Sequence, residues 1–190
     1  MPKIITVPNP LLRQKSEPVN NLQEAKKIID QLQETLVKKE GAIAGVGLAA
    51  VQIGLLKRVF LAYSKASKKF LTFINPEITW YSKKQTNSLR DSKSRFEGCL
   101  SVPNKWSAIH RARKIKVAYQ TQTGQKLTRT FSNQLATVIQ HEYDHLNGIL
   151  FIDRALEQGE KIYELAKDEK GKEYLKEMRH LGLKSKVSAS

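Results

Sequence analysis

Apolar residues recur at helical spacing in two stretches of the chain, and short strand-like runs lie between them. Leu22, Ala25, Ile29, Leu32 and Leu36 form one stripe, which predicts a helix running to about Lys39. Asn21 with Glu24 three positions on has the form of a capping box at its start. The second helical pattern covers 134–139, with Ser132 or Asn133 available as N-cap and Gly148 where a helix of that phase should stop. Residues 58–63 and 70–74 read as strands, and Asn75-Pro76 is expected to turn the chain out of the second. Leu100 and Val102 bracket Ser101 in a short extended segment expected to end at Pro103. Ile115, Val117 and Tyr119 alternate with Lys116, Ala118 and Gln120; Thr123-Gly124 then turns into 126–131, a hairpin that leads directly into the second helix. Residues 1–20 read as an irregular arm, because Pro8, Pro10 and Pro18 exclude a long helix. Residues 81–95 read as an exposed basic loop, with Lys83, Lys84, Arg90, Lys93 and Arg95. From Ala155 onward a charged helix is expected, interrupted near Gly159 or Gly171, with 181–190 fraying.

Composition narrows this to one domain. A chain of 190 residues can build a proper core, and no repeat or linker divides it; residues 155–190 are expected to form a charged C-terminal helical tail on a single unit spanning 1–190. The single cysteine excludes an intramolecular disulfide, and a thiolate used as a ligand favours a reducing, cytoplasmic setting. The first residues lack a signal-peptide core, and no apolar run approaches membrane-spanning length, so no membrane partner is expected. The formal charge of +15 predicts attraction to polyanions such as ribosomal RNA; a lysine-rich solvated surface accounts for it equally well.

Candidate chemistry sits at the end of the second helix, in Gln140-His141-Glu142-Tyr143-Asp144-His145-Leu146-Asn147-Gly148. His141 and His145 are i, i+4 neighbours on one helical face, close enough for their imidazoles to share a metal ion. Glu142 is placed to reach water at such a site without being a ligand. A catalytic metal of this kind usually has three protein ligands and an open position, and Cys99 in Glu97-Gly98-Cys99-Leu100-Ser101 is the candidate for the third. Each motif alone has a plainer explanation: H-E-x-x-H arises by chance on amphipathic helices, and a lone cysteine is commonly a small buried hydrophobe. Their joint occurrence, flanked by glycines, favours the metal site. Upstream, Gly45-Val46-Gly47-Leu48-Ala49-Ala50-Val51-Gln52 lacks the G-x-x-x-x-G-K-[ST] pattern of a phosphate loop. Gln52, the one polar side chain in that run, must either bond local backbone or point into a site. Trp80 and Trp106 read as packing or loop anchors, and His110 and His180 lack ligand-spaced partners.

The three motifs, in this order, resemble those of the peptide deformylase family. The likeness extends through Leu12-Arg13, Ile74-Asn75-Pro76-Glu77 and Arg111, and covers roughly residues 5–155. The resemblance implies an α+β fold in which antiparallel strands surround a central metal-binding helix, with an N-terminal and a C-terminal helix. It implies removal of the formyl group from N-formylmethionine of nascent polypeptides, releasing formate. By position, Cys99, His141 and His145 would be metal ligands, Glu142 the catalytic carboxylate, and Gln52 and the Leu100 N–H the contacts to the formyl oxygen. The resemblance thus makes Gln52 a site residue. Val46, Gly47, Gly98, Thr137 and Val138 would bind substrate, and Glu97 would accept the outward N–H of a ligating histidine. Family members usually carry a larger apolar residue at Thr137, and Arg95-Phe96 replaces commoner acidic residues. The ligand set suits Fe2+, Zn2+, Ni2+ or Co2+, and the family precedent favours Fe2+. Related enzymes also use their C-terminal region at the ribosome, here a basic tail including Lys161, Lys167, Lys170, Lys172, Lys176, Arg179, Lys184 and Lys186. Two other readings compete: a zincin-type endopeptidase, and a non-catalytic basic RNA-binding module with a structural metal.

Overall fold

The computed structural model describes residues 2–37, 45–86, 96–169 and 171–178. Helix α1 spans Leu22–Leu36, and the Asn21 side chain accepts the Glu24 N–H at 2.8 Å, the cap expected from the sequence. Its apolar stripe buries Ala25, Ile28, Ile29, Leu32 and Leu36 against Leu48, Ala50, Val59, Leu61 and Ile74.

All of those partners but Ala50 belong to an antiparallel sheet ordered β1-β2-β3-β6-β7, formed by Gly47–Ala49, Val59–Ser64, Lys69–Tyr81, Lys114–Gln120 and Lys126–Ser132. Strand β3 does not turn out at Asn75-Pro76 as the dipeptide suggests; it continues to Tyr81. The register shifts between Ile74 and Glu77, so Pro76, with no N–H to give, falls at an irregularity in the ladder. Asn75 stands there at φ 47° while its side chain bonds both the N–H and the carbonyl of Val19, each at 2.8 Å.

The β6–β7 hairpin feeds helix α2, Asn133–His145. Ser132 occupies the N-cap position without a side-chain bond to the helix; Asn133 is instead anchored through its N–H to the Arg113 carbonyl at 2.8 Å. Ala136, Val138 and Ile139 of α2 join Phe60, Phe73, Val117, Tyr119 and Phe131 in one apolar cluster, which fixes the helix against the sheet. Gly148 follows at φ 71°, and a Cβ there would lie 2.5 Å from the Arg13 carbonyl oxygen, so the chain after α2 needs a residue without a side chain.

A second antiparallel sheet, ordered β4-β5-β8-β9, comprises Glu97–Cys99, Val102–Ser107, Ile162–Lys167 and Glu173–Glu177. Strand β5 passes through Pro103 rather than ending there, because the pairing jumps from Cys99–Val102 to Gly98–Trp106 and accommodates the proline in the irregular stretch. The expected C-terminal helical tail needs a larger correction. Helix α3, Phe151–Glu157, ends before Gly159, and residues 162–177 form a hairpin that extends β5. Its charged residues have no apolar helical face to bury, whereas β5 offers a free edge, and tertiary pairing outweighs helical propensity. Leu12, Val102, Ile109, Leu150, Phe151, Ile152, Ala155 and Ile162 form the core under this sheet. Residues 38–44, where the first helix is expected to end, 87–95 of the expected basic loop, Lys170 and 179–190 lie outside the described residues. Among the described residues no helix is long and apolar enough to cross a membrane.

Candidate metal centre

Helix α2 presents His141 and His145 one turn apart, with ring centroids 5.0 Å from each other. Strand β4 approaches from the other sheet and places the Cys99 sulfur 3.2 Å from His145 Nε2. One donor atom from each of the three residues lies within 4.8 Å of the others. At ordinary Zn–S and Zn–N bond lengths, tetrahedral ligand atoms are separated by roughly 3.3–3.6 Å, so the cluster has the dimensions of a metal site. Burial keeps His145 well below the usual imidazole pKa, with His141 and Arg111 adding to the effect, and the neutral ring is the ligating form. The buried Nδ1 of His145 and Oε2 of Glu142 have no hydrogen-bond partner among the described residues. A thiol and two imidazoles converging beside such atoms fit a divalent cation.

Glu142 is 4% exposed, and burial pushes its carboxyl up to about 7. Strand β1 can lie against it only because Gly47 has no side chain; a Cβ there would collide with the Glu142 carboxylate. Gln52, in the 3-10 turn Ala50–Ile53, does both things the sequence left open. Its Oε1 accepts the Ala49 N–H at 2.8 Å, and its Nε2 donates to Ser101 Oγ at 3.1 Å and approaches the Cys99 sulfur at 3.5 Å. Leu100 follows the thiol directly and packs its side chain toward Leu36 and Gly45. Val46, immediately before β1, is 46% exposed. Val138 is buried on α2, and the Thr137 hydroxyl turns back to the Asn133 carbonyl at 3.4 Å.

Behind the histidines runs a chain of charged groups. Glu97 Oε2 lies 3.0 Å from His141 Nδ1, and Arg111 grips both oxygens of Glu97 through Nε and Nη2 at 2.8 and 2.9 Å. Burial alone would raise Glu97; the Arg111 guanidinium, with help from His141, holds it down to about 2. Arg111 Nη1 also donates to Asp144 at 2.6 Å, and Asp144 accepts from Arg154 Nη2 at 2.7 Å. Sequence reasoning anticipated Glu97 behind a histidine; it missed the roles of Arg154 and Ser101, which no local spacing marks. His110 pairs with Glu160 at 2.9 Å, away from the cluster.

The family model described as Polypeptide deformylase matches residues 1–161. This chain belongs to the polypeptide deformylase family. A peptide deformylase of Syntrophomonas wolfei is 41% identical over 156 residues, covering 82% of this chain and 93% of its own. The peptide deformylase of Thermotoga maritima superposes with a TM-score of 0.71 at 35% identity, over 81% of this chain and 97% of the other. That of Acinetobacter baumannii, solved with Met-Ala-Ser bound, has a TM-score of 0.69 at 29% identity, over 81% and 98%. The α+β fold is that of the family, and membership makes the chain a metal-dependent hydrolase that removes the N-formyl group from nascent polypeptides. The family match stops at residue 161, one position before β8, so this deformylase carries its C-terminal hairpin beyond the matched region.

Proposed function

We propose that Cys99, His141 and His145 hold the metal, Fe2+ in the cell, and that Glu142, Gln52 and the Leu100 N–H carry the deformylation. The observation behind this reading is the meeting of one thiol and two imidazoles beside a buried carboxylate. A divalent cation held by these three residues would supply the Lewis acidity for the hydrolysis. Glu142 takes a proton from the attacking water and delivers it to the amine nitrogen as the formyl C–N bond breaks, leaving formate and a free N-terminus. Gln52 Nε2 and the Leu100 N–H donate to the formyl oxygen as negative charge gathers there.

Among the described residues, β1 and β4 each have a strand on one side only, and both border the centre. An extended peptide can add to such edges through backbone hydrogen bonds. Val46, Gly47 and Gly98 then contact its backbone, while Val46, Thr137 and Val138 line the pocket for the methionine side chain. Met-Ala-Ser in the Acinetobacter baumannii relative is a ligand of this type. The endopeptidase reading is not favoured, since it needs a ligand following the helix and the third donor here is Cys99. A closed structural site is disfavoured because only three ligand residues cluster among the described ones.

Anaerobic purification with elemental analysis, alongside formate release from formyl-Met-Ala-Ser, tests the reading. About one metal per chain and formate production are expected; Gln52→Leu should lower kcat by about 10²–10³-fold with a smaller change in KM. Zinc alone supporting full turnover overturns the iron assignment. A KM effect without a kcat effect makes Gln52 a binding residue only.

We also infer a cytoplasmic enzyme that docks at the ribosome through its basic surface. Lys161 and Lys167 pair with Glu177 and Glu173 at 2.8 and 3.8 Å, so part of the hairpin's positive charge is offset locally. Reversing Lys167, Lys172 and Lys176 to glutamate should weaken salt-sensitive co-sedimentation with ribosomes. Unchanged binding would remove the hairpin from the docking surface.

A further inference from the structure

Trp106 occupies the space that Gly98 leaves open. The two residues pair across β4 and β5, and a Cβ on Gly98 would lie 2.5 Å from Cζ3 and 2.6 Å from Cε3 of the indole. Alternation along β4 sends Glu97 and Cys99 to the metal side, where they meet His141 and His145, and Phe96 and Gly98 to the opposite face. On that face Tyr163 of β8 pairs directly with Trp106, and its ring meets Phe96 edge-on at 5.3 Å. Leu165, paired with Leu175, continues the same face. Trp106 and Leu165 are each 38% exposed. The result is an aromatic ledge behind the edge strand of the substrate groove, and β8, which completes it, lies beyond the matched family region.

We propose that this ledge selects the second residue of the formylated peptide, favouring a large apolar or aromatic side chain. The inference rests on the deformylase reading and on substrate adding to the free edge of β4. Side chains of an added strand alternate in step with those of β4. With the formyl group at Cys99-Leu100 and the methionine side chain turned to the metal side, the next residue stands beside Gly98 and points to the outer face. Gly98 offers it no side chain, so its neighbour there is the Trp106 indole. A large apolar side chain loses water against that ring, and an aromatic one gains a ring contact as well; alanine is too short to do either.

The test compares kcat/KM for formyl-Met-Phe-Ser, formyl-Met-Leu-Ser and formyl-Met-Ala-Ser in wild type, Trp106→Ala and Trp106→Phe. Wild type should prefer phenylalanine over alanine by about tenfold, carried by KM. The ratio should fall toward one in Trp106→Ala and survive largely in Trp106→Phe. A second readout needs no turnover. In a Trp80→Phe background Trp106 is the one indole left, and its emission should respond to Met-Phe-Ser at lower concentration than to Met-Ala-Ser. Equal treatment of phenylalanine and alanine by wild type, an undiminished preference in Trp106→Ala, or an emission indifferent to the peptide overturns the ledge and leaves the deformylase reading standing. No formate from any peptide with metal-loaded wild type overturns both.

Discussion

Glu142→Gln should keep its metal and lose about 10²–10⁴-fold in formate release, the span a positioned general base contributes. The substitution preserves shape in a site with no room for change, since the carboxylate lies against Gly47 and is 4% exposed. What it removes is the ability to take a proton from water and return it to the leaving amine. Elemental analysis and single-turnover formate assays on the same preparation separate the two consequences. Retained metal with turnover within tenfold of wild type would exclude Glu142 as the base. Loss of metal in step with activity would instead make Glu142 a support for the ligands.

Arg111→Met should destabilise the protein by about 3–5 kcal/mol, because it strands two buried carboxylates that share one guanidinium. Glu97 and Asp144 contact Arg111 at 2.8 and 2.6 Å, and its side chain is 5% exposed. For a chain of this size that corresponds to a fall in Tm of roughly 6–20 °C. Metal affinity should weaken too, by about 10–100-fold, because Glu97 fixes the His141 ring only while Arg111 fixes Glu97. Thermal melts of the metal-free protein and titration against a competing chelator measure the two effects. A metal-free Tm within 2 °C of wild type would show that the pair adds nothing to the fold. Arg111→Lys should recover only part of the loss, since an ammonium cannot grip both Glu97 oxygens.

Interactions within a few residues of one another were readable from the sequence. The Asn21 cap, the α1 stripe, the β6–β7 hairpin and the one-turn spacing of His141 and His145 all follow from local periodicity and turn chemistry. Local rules misled where distant partners decide conformation. Asn75-Pro76 has the composition of a turn, yet the bonds from Asn75 to Val19, 56 residues away, hold it within β3. Pro103 has the look of a strand end, yet an irregular pairing carries β5 past it. Residues 162–177 resemble a charged helix because charge density is common to exposed helices and edge strands; the free side of β5 decides between them.

The sequence alone determined which residue types could ligate, that two of them share a helical face, and, through three ordered motifs, the family. Helical geometry is set by neighbours along the chain, so that much needs no knowledge of the fold. Tertiary structure decided that Cys99 comes within 3.2 Å of a histidine 46 residues later, that Arg111, Asp144 and Arg154 line up behind the ligands, and that Trp106 fills the place of a missing side chain. Each depends on two sheets and a helix packing at one register, and contacts between distant segments leave no periodic trace in either segment.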